Sequence, residues 1–331
     1  MKKLVSLILL LIFVLLSFCS CDRNVYPLSS TQIMMDTVVT ITIYDGDDVL
    51  SGAMKLCKKY ENLLSRTVEE SDIYKINTSN GNPVEVSSET VELLSLALDI
   101  AKNSNGAFDP TVLPLVEVWD VMNAKKAPES SKITEAMKSV GFENIEINGN
   151  LVTAKNGARL DLGGIAKGFI ADKLKVYLKE NKVKSAIINL GGNTLLVGDK
   201  NGKNFSVGVQ KPFGKQDELC GIVKMQDKTA VTSGVYQRYF EEDGQIYHHI
   251  IDTQTGYPTD NGLYAVTVLT DSSSIADGLS TACLVLGIEK GTELAKKYNA
   301  ELIFVDKDGK LILTNGLTQT MQNKDTIITF K

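Results

Sequence analysis

The stretch Arg159-Leu-Asp-Leu-Gly-Gly-Ile-Ala-Lys-Gly168 changes its character half-way. Its first four residues alternate polar and apolar, as a strand with one buried face does. From Ile165 the sequence reads as a helix to residue 180. Gly163 and Gly164 sit at the joint, where the lack of side chains lets backbone come close to a ligand. The helix N-terminus behind them favours an anion, and Lys167 adds a movable positive charge. The same pattern also fits a tight strand-to-helix turn with a surface lysine. It matches neither the G-x-G-x-x-G fingerprint nor the P-loop.

Working outward, strands and helices continue to mix. A β-branched, alternating strand is expected at 35–44 and a helix at 49–65, with Ala53, Leu56, Cys57, Tyr60, Leu63 and Leu64 on its apolar stripe. Ser71 is placed to cap a short helix to residue 77, and Ser87 or Ser88 a long one that ends before Gly106. A helix at 128–141 precedes strands around Ile145 and at 151–162, joined at Asn148-Gly149-Asn150. Beyond the 165–180 helix come strands at 184–190, 205–210, 221–225, 229–232, 245–251 and 264–269. Helices at 274–286 and 292–298 and a closing hairpin, 301–305 with 310–314, complete the chain. The expected fold is α+β, with mixed, largely antiparallel sheets and packed helices in one domain over 31–331.

The ends and the composition bound the setting. Of 331 residues, 43% are hydrophobic and 23% charged, an ordinary globular balance, and a net charge of −5 offers no basic face for nucleic acid. Lys2 and Lys3 precede an apolar run from Leu4 to Phe18, shorter than a membrane span needs, which reads as an export signal over 1–20. Ser20-Cys21 then offers a lipidation site at Cys21, with a polar tether over 21–30; a plain cleaved signal is the alternative. Lipid on Cys21 would hold the protein at the cell membrane, facing the periplasm or the exterior. Cys57, Cys220 and Cys283 have no metal-binding spacing, and Cys57 and Cys283 read as core, with no disulfide framework.

Three further segments carry candidate chemistry. Asp277 and Thr281 are four apart on an expected helix, so their oxygens share a face and suit magnesium; the other reading is a first-turn carboxylate beside the helix dipole and a threonine bonded back to its helix. Tyr247-His248-His249-Ile250-Ile251-Asp252 holds the only two histidines, whose rings point to opposite faces on a strand. They fit a proton relay or simple packing. In Gly106-Ala-Phe-Asp-Pro-Thr111, Asp109 either initiates a turn before Pro110 or presents its carboxylate to a ligand.

In order, MDTVVTI, SDIYKIN, GAFDPTVLPL, DLGGIAKG, the Gly191-Gly192-Asn193 turn, TSG at Thr232 to Gly234, YHHIID and the Asp277/Thr281 helix resemble the ApbE family of FAD:protein FMN transferases. The likeness spans roughly residues 31–315, nearly all of the chain beyond the leader. It implies an FAD site between two subdomains, with Mg2+ on Asp277 and Thr281 and on backbone oxygens near Gly164 and Ser280. It implies FAD contacts at Met35, Thr67, Ala107, Phe108, Asp109, Asp161, Lys167 and Ile251, and a catalytic role for His249, with His248 at a variable place. The implied reaction cleaves FAD, attaches FMN through a phosphoester to a Thr or Ser of an exported or membrane redox protein, and releases AMP. Two departures stand out. Asp252-Thr-Gln-Thr-Gly256 replaces the common Asp-Pro-Arg-Thr-Gly, so an arginine is missing beside the site, and Thr67 stands where many members carry a tyrosine. Some members at that place favour hydrolysis. An FAD pyrophosphatase giving FMN and AMP is therefore one alternative, and a non-catalytic flavin-binding lipoprotein is another.

Overall fold

A computed structural model describes residues 27–46, 48–215, 217–322 and 325–331. Cys21 and the leader over 1–20 lie outside the described residues, and so does most of the tether. The chain opens with β1 (Leu28–Met34) and β2 (Thr37–Ile43), then α1 (Leu50–Leu64), α2 (Asp72–Thr78), β3 (Val84–Glu85), α3 (Ser88–Asn103), α4 (Leu113–Trp119) and α5 (Ser130–Met137). β4 (Ile145–Asn148) and β5 (Leu151–Ala154) lead to α6 (Ala166–Glu180). A run of strands follows: β6 (Ala186–Leu190), β7 (Asn193–Val197), β8 (Phe205–Gln210), β9 (Leu219–Met225), β10 (Thr229–Gly234), β11 (Tyr239–Glu242), β12 (Gln245–His248), β13 (Ile251–Asp252), β14 (Tyr257–Pro258) and β15 (Leu263–Thr270). The chain ends with α7 (Ser273–Lys297), β16 (Glu301–Asp306), β17 (Leu311–Leu313), β18 (Leu317–Gln322) and β19 (Asp325–Phe330).

An eight-stranded antiparallel sheet, ordered β1-β2-β6-β7-β10-β15-β16-β17, organises the molecule. Its central strands are buried on both faces, which is why they read as apolar runs. Val231, Val266 and Val268 face the main core with the helices, while Ala230, Ala265 and Leu269 face a second core. That second core is closed by the small sheet β18-β19-β9-β8, where β19 pairs with β9 in parallel. A third cluster gathers Leu115, Trp119, Ile133 and Ile251. The sheets are mixed and largely antiparallel, as the sequence predicts.

Several expectations need correction. The tether expected over 21–30 ends earlier, since Leu28 already pairs with Ile43 in the edge strand. No strand runs through 155–162; Arg159 makes one isolated bridge to Val112. The side chain of Asn77 substitutes for a neighbouring strand, accepting from Leu160 N–H at 2.6 Å and donating to Leu160 C=O at 2.9 Å. The strand expected at 245–251 stops at His248 and resumes at Ile251. The two C-terminal helices meet at Gly287 (φ 78°), the one non-helical residue inside α7. Both serine caps are present: Ser71 Oγ accepts from Tyr74 N–H at 3.0 Å and Ser87 Oγ from Thr90 N–H at 3.1 Å. Cys57 and Cys283 are buried free thiols.

Candidate active site

A cavity of about 1140 Å³ runs between the α6–α7 pair and the third cluster. Its polar end is set by one crossing. A Cβ on Gly168 would lie 2.1 Å from Ser273 O and 2.8 Å from Asp277 Cβ, so only glycine lets α6 and α7 come this close. At the crossing Asp277 Oδ2 accepts the Gly168 N–H at 2.8 Å, capping the first turn of α6 from another helix. Asp277 is buried, and its other oxygen accepts no hydrogen bond from the described residues. Burial lifts its pKa above the usual carboxylate value; Lys167 and the Gly168 N–H act in the opposite direction. Thr281, one turn on, faces Gly164: a Cβ there would sit 3.4 Å from Thr281 Oγ1 and 3.3 Å from the Phe108 ring.

The glycine turn holds its own charges. Lys167 Nζ donates to Gly163 C=O at 2.9 Å. Asp161 Oδ1 accepts Gly163 N–H at 2.8 Å, while Oδ2 pairs with Arg66 at 3.1 Å. Thr67 follows Arg66 on the wall, its Oγ1 3.1 Å from Ser65 Oγ.

The two histidines differ in kind. His248 is buried, its Nε2 donates to Thr259 C=O at 2.9 Å, and its Nδ1 accepts from Ile250 N–H at 3.3 Å. Both nitrogens are used, and burial lowers its pKa. His249 lines the cavity. Its Nδ1 lies 3.2 Å from Arg238 C=O, an acceptor, so Nδ1 carries the proton and Nε2 is left with a lone pair. Enclosure by protein lowers its pKa to about 4, so the ring is neutral at pH 7.

The lip and the apolar end complete the wall. Met35 and Asp36 form the two-residue loop of the β1–β2 hairpin, both with positive φ (53° and 54°). Non-glycine residues rarely hold this conformation. Glu61 Oε1 steadies it by accepting the Met35 N–H at 2.8 Å. Beside it, Gly191 and Gly192 make the β6–β7 turn, so close that a Cβ on Gly191 would meet Thr37 Oγ1 at 1.9 Å. Ala107, Phe108, Val112, Val116, Trp119 and Ile251 form the apolar end. Trp119 is fully buried, donates Nε1–H to Gly256 C=O at 2.7 Å and stacks on Tyr247 at 5.5 Å.

All but one of the residues expected to bind FAD or metal or to act in catalysis line this cavity. The exception is Ser280, fully buried with Oγ 2.7 Å from Ser233 Oγ and 2.8 Å from Asp277 C=O. Asp109 reaches the wall, but both its oxygens are occupied: Thr111 N–H at 2.8 Å and Thr111 Oγ at 2.6 Å on one, Phe142 N–H at 2.9 Å on the other. It holds a turn, and burial raises its pKa despite those donors. Sequence reasoning passed over Arg66, Ser233, Arg238 and Trp119, which all line the cavity. The first three stand beside Thr67, within TSG and ahead of YHHIID, so proximity to a quoted motif was the available signal.

The profile of the ApbE family matches residues 35–304. The chain belongs to the ApbE family. Among curated relatives, an FAD:protein FMN transferase of Klebsiella pneumoniae is 34% identical over 301 residues, covering 89% of this chain and 93% of that protein. One of Treponema pallidum is 30% identical, covering 93% of this chain and 92% of its own length. The ApbE protein of Thermotoga maritima superposes with a TM-score of 0.81 at 30% identity, over 88% of this chain and 97% of the other. The flavin transferase ApbE of Vibrio cholerae gives a TM-score of 0.79 at 26% identity, over 88% and 97%.

Proposed function

We propose that this chain is an FAD:protein FMN transferase that cleaves FAD, attaches FMN to a Ser or Thr hydroxyl of another protein and releases AMP. The observation that carries the chemistry is the polar end of the cavity, where Lys167, Asp277, Thr281 and the free Nε2 of His249 share one wall. The volume exceeds the roughly 300–1,000 Å³ of common small-molecule sites and suits a dinucleotide.

The residues also fit a magnesium ion. Asp277 is buried with a free oxygen, Thr281 adds a hydroxyl beside Gly164, and carboxylates outnumber cationic side chains on the wall. A buried carboxylate of this kind needs a cation partner, and a pyrophosphate needs one more than Lys167. Asp277 and Thr281 would hold the ion, with backbone oxygen near Gly164. Magnesium supplies charge neutralisation of the diphosphate and of the departing AMP.

The chain's own residues do the rest. The apolar end around Phe108, Val112 and Val116, backed by the buried Trp119, receives the flavin ring. Lys167 and the first turn of α6 meet the phosphates. The acceptor hydroxyl attacks the FMN-side phosphorus as its proton passes to His249 Nε2, and the bond to AMP breaks. Nδ1 stays hydrogen-bonded to Arg238 C=O, which fixes the tautomer that can accept. With water in place of the hydroxyl the products are FMN and AMP. A lipid on Cys21 would confine the enzyme to acceptors at the membrane surface; Cys21→Ala should move it to the soluble fraction.

The decisive assay incubates the protein with FAD, Mg²⁺ and a candidate acceptor, and follows AMP and covalent flavin. AMP with no covalent flavin on any acceptor would favour the pyrophosphatase. Binding without AMP would leave a flavin carrier.

A further inference from the structure

Val231 of β10 packs into the main core with Ala276 and Leu279 of α7. Strand side chains alternate between faces, so Ser233, two residues on, points the same way, toward α7. There its Oγ lies 2.7 Å from Ser280 Oγ and 3.4 Å from Thr281 Oγ1. Ser280 Oγ in turn lies 2.8 Å from Asp277 C=O. Ser233 lines the cavity, as Asp277 and Thr281 do, while Ser280 is fully buried. The contact with Thr281 is long, and it is the only hydrogen bond of the Thr281 hydroxyl among the described residues.

These three contacts join four oxygens, and the protons between them can run in one direction only. The Asp277 carbonyl has no proton to give, so the contact with Ser280 takes the Ser280 proton. A hydroxyl carries a single proton, so the 2.7 Å contact takes that of Ser233. The Ser233 oxygen is then left as an acceptor, and its contact with Thr281 takes the Thr281 proton. Sending the Ser233 proton to Thr281 instead would strip one of the two short contacts of its proton and set lone pair against lone pair beside a fully buried hydroxyl.

A hydroxyl that binds a cation does so through a lone pair, and its own proton must be turned elsewhere. We infer that Ser233 is a positioning residue for Thr281: it takes the Thr281 proton and leaves the lone pairs of that hydroxyl for the cation that Asp277 and Thr281 would share. Without Ser233 the proton is free to rotate into the cavity, where it opposes a cation. The order starts at the Asp277 main chain. The residue that would supply the charged ligand therefore also sets, through Ser280 and Ser233, the hydroxyl one turn further along α7. This rests on the magnesium reading above.

The test titrates Mg²⁺ calorimetrically into FAD-free wild type, Ser233→Ala, Thr281→Val, the variant carrying both changes, and Asp277→Ala, with circular dichroism as the folding control. Ser233→Ala should weaken Mg²⁺ binding roughly 10-fold, the low end for a residue that orients a metal ligand. In the Thr281→Val background, with no hydroxyl left to turn, the same change should cost almost nothing. Wild-type affinity in Ser233→Ala, or an equal loss in both backgrounds, overturns the inference. If wild type and Asp277→Ala are equally indifferent to Mg²⁺, the magnesium reading fails instead. Neutron diffraction on the wild-type protein reads the proton order with no substitution at all: deuterium on Thr281 Oγ1 directed at Ser233 supports it, and deuterium on Ser233 Oγ directed at Thr281 refutes it.

Discussion

The two ends of the cavity are built on opposite principles. At the polar end, groups are left incompletely satisfied: one oxygen of Asp277, one nitrogen of His249 and one amide atom of Asn193 have no hydrogen-bond partner among the described residues. At the apolar end nothing is left over. Trp119 spends its N–H on Gly256, stacks on Tyr247 and sits in a closed cluster, and Asp109 beside it has both oxygens engaged. Unsatisfied buried groups cost stability, so their concentration at one end marks where a ligand is meant to complete them.

Substitutions at the polar end should therefore cost turnover, and those at the apolar end stability. Asp277→Ala should show the largest effect, a loss of roughly 100- to 1,000-fold in AMP release with the fold intact, as for removal of strong charge stabilisation. EDTA should reproduce it, and full cleavage in either case breaks the contrast. His249→Ala should cost about 100-fold in transfer, the low end for a general base, with FAD affinity largely kept. Because the neutral ring is the active form and its pKa is lowered to about 4, kcat/KM for FAD should hold from pH 7 down toward that value and fall below it. An acid limb near 6.5 would point to another group.

The apolar end and the buried histidine should answer differently. Trp119→Phe strands the Gly256 carbonyl and should lower stability by about 1–3 kcal/mol, read as a fall in Tm, with kcat at saturating FAD unchanged. His248→Ala should lower stability within the same about 1–3 kcal/mol and slow transfer far less than His249→Ala. Equal losses of activity in the two histidine variants would mean that the pair is purely structural.

What could be read in the sequence was local. Ser71 and Ser87 cap because the cap and its N–H are three residues apart, and the Asp277/Thr281 face follows from helical spacing alone. Long-range effects were hidden. Arg159 to Leu162 alternates because Leu160 and Leu162 enter the core, yet the partner for Leu160 is a side chain 83 residues away, not a strand. β7 and α4 escape a sequence reading because a buried strand and a short helix carry little periodicity of their own, β11 because it is only four residues long, and β18 because its exposed threonines and glutamines look like a tail. The different fates of His248 and His249 depend on Thr259 and Arg238, which no local pattern connects to them.

The neighbouring turns at the cavity lip have a practical consequence. Gly191-Gly192 adopts positive φ at no steric cost, whereas Met35-Asp36 holds the same kind of bend against its own side chains. An engineer seeking a hardier protein would start with Met35→Gly, which relieves strain of about 1 kcal/mol. The same change deletes the one long side chain that this turn presents to the cavity. A variant that melts later and holds FAD less well would identify Met35 as a residue kept for its ligand at the expense of its fold.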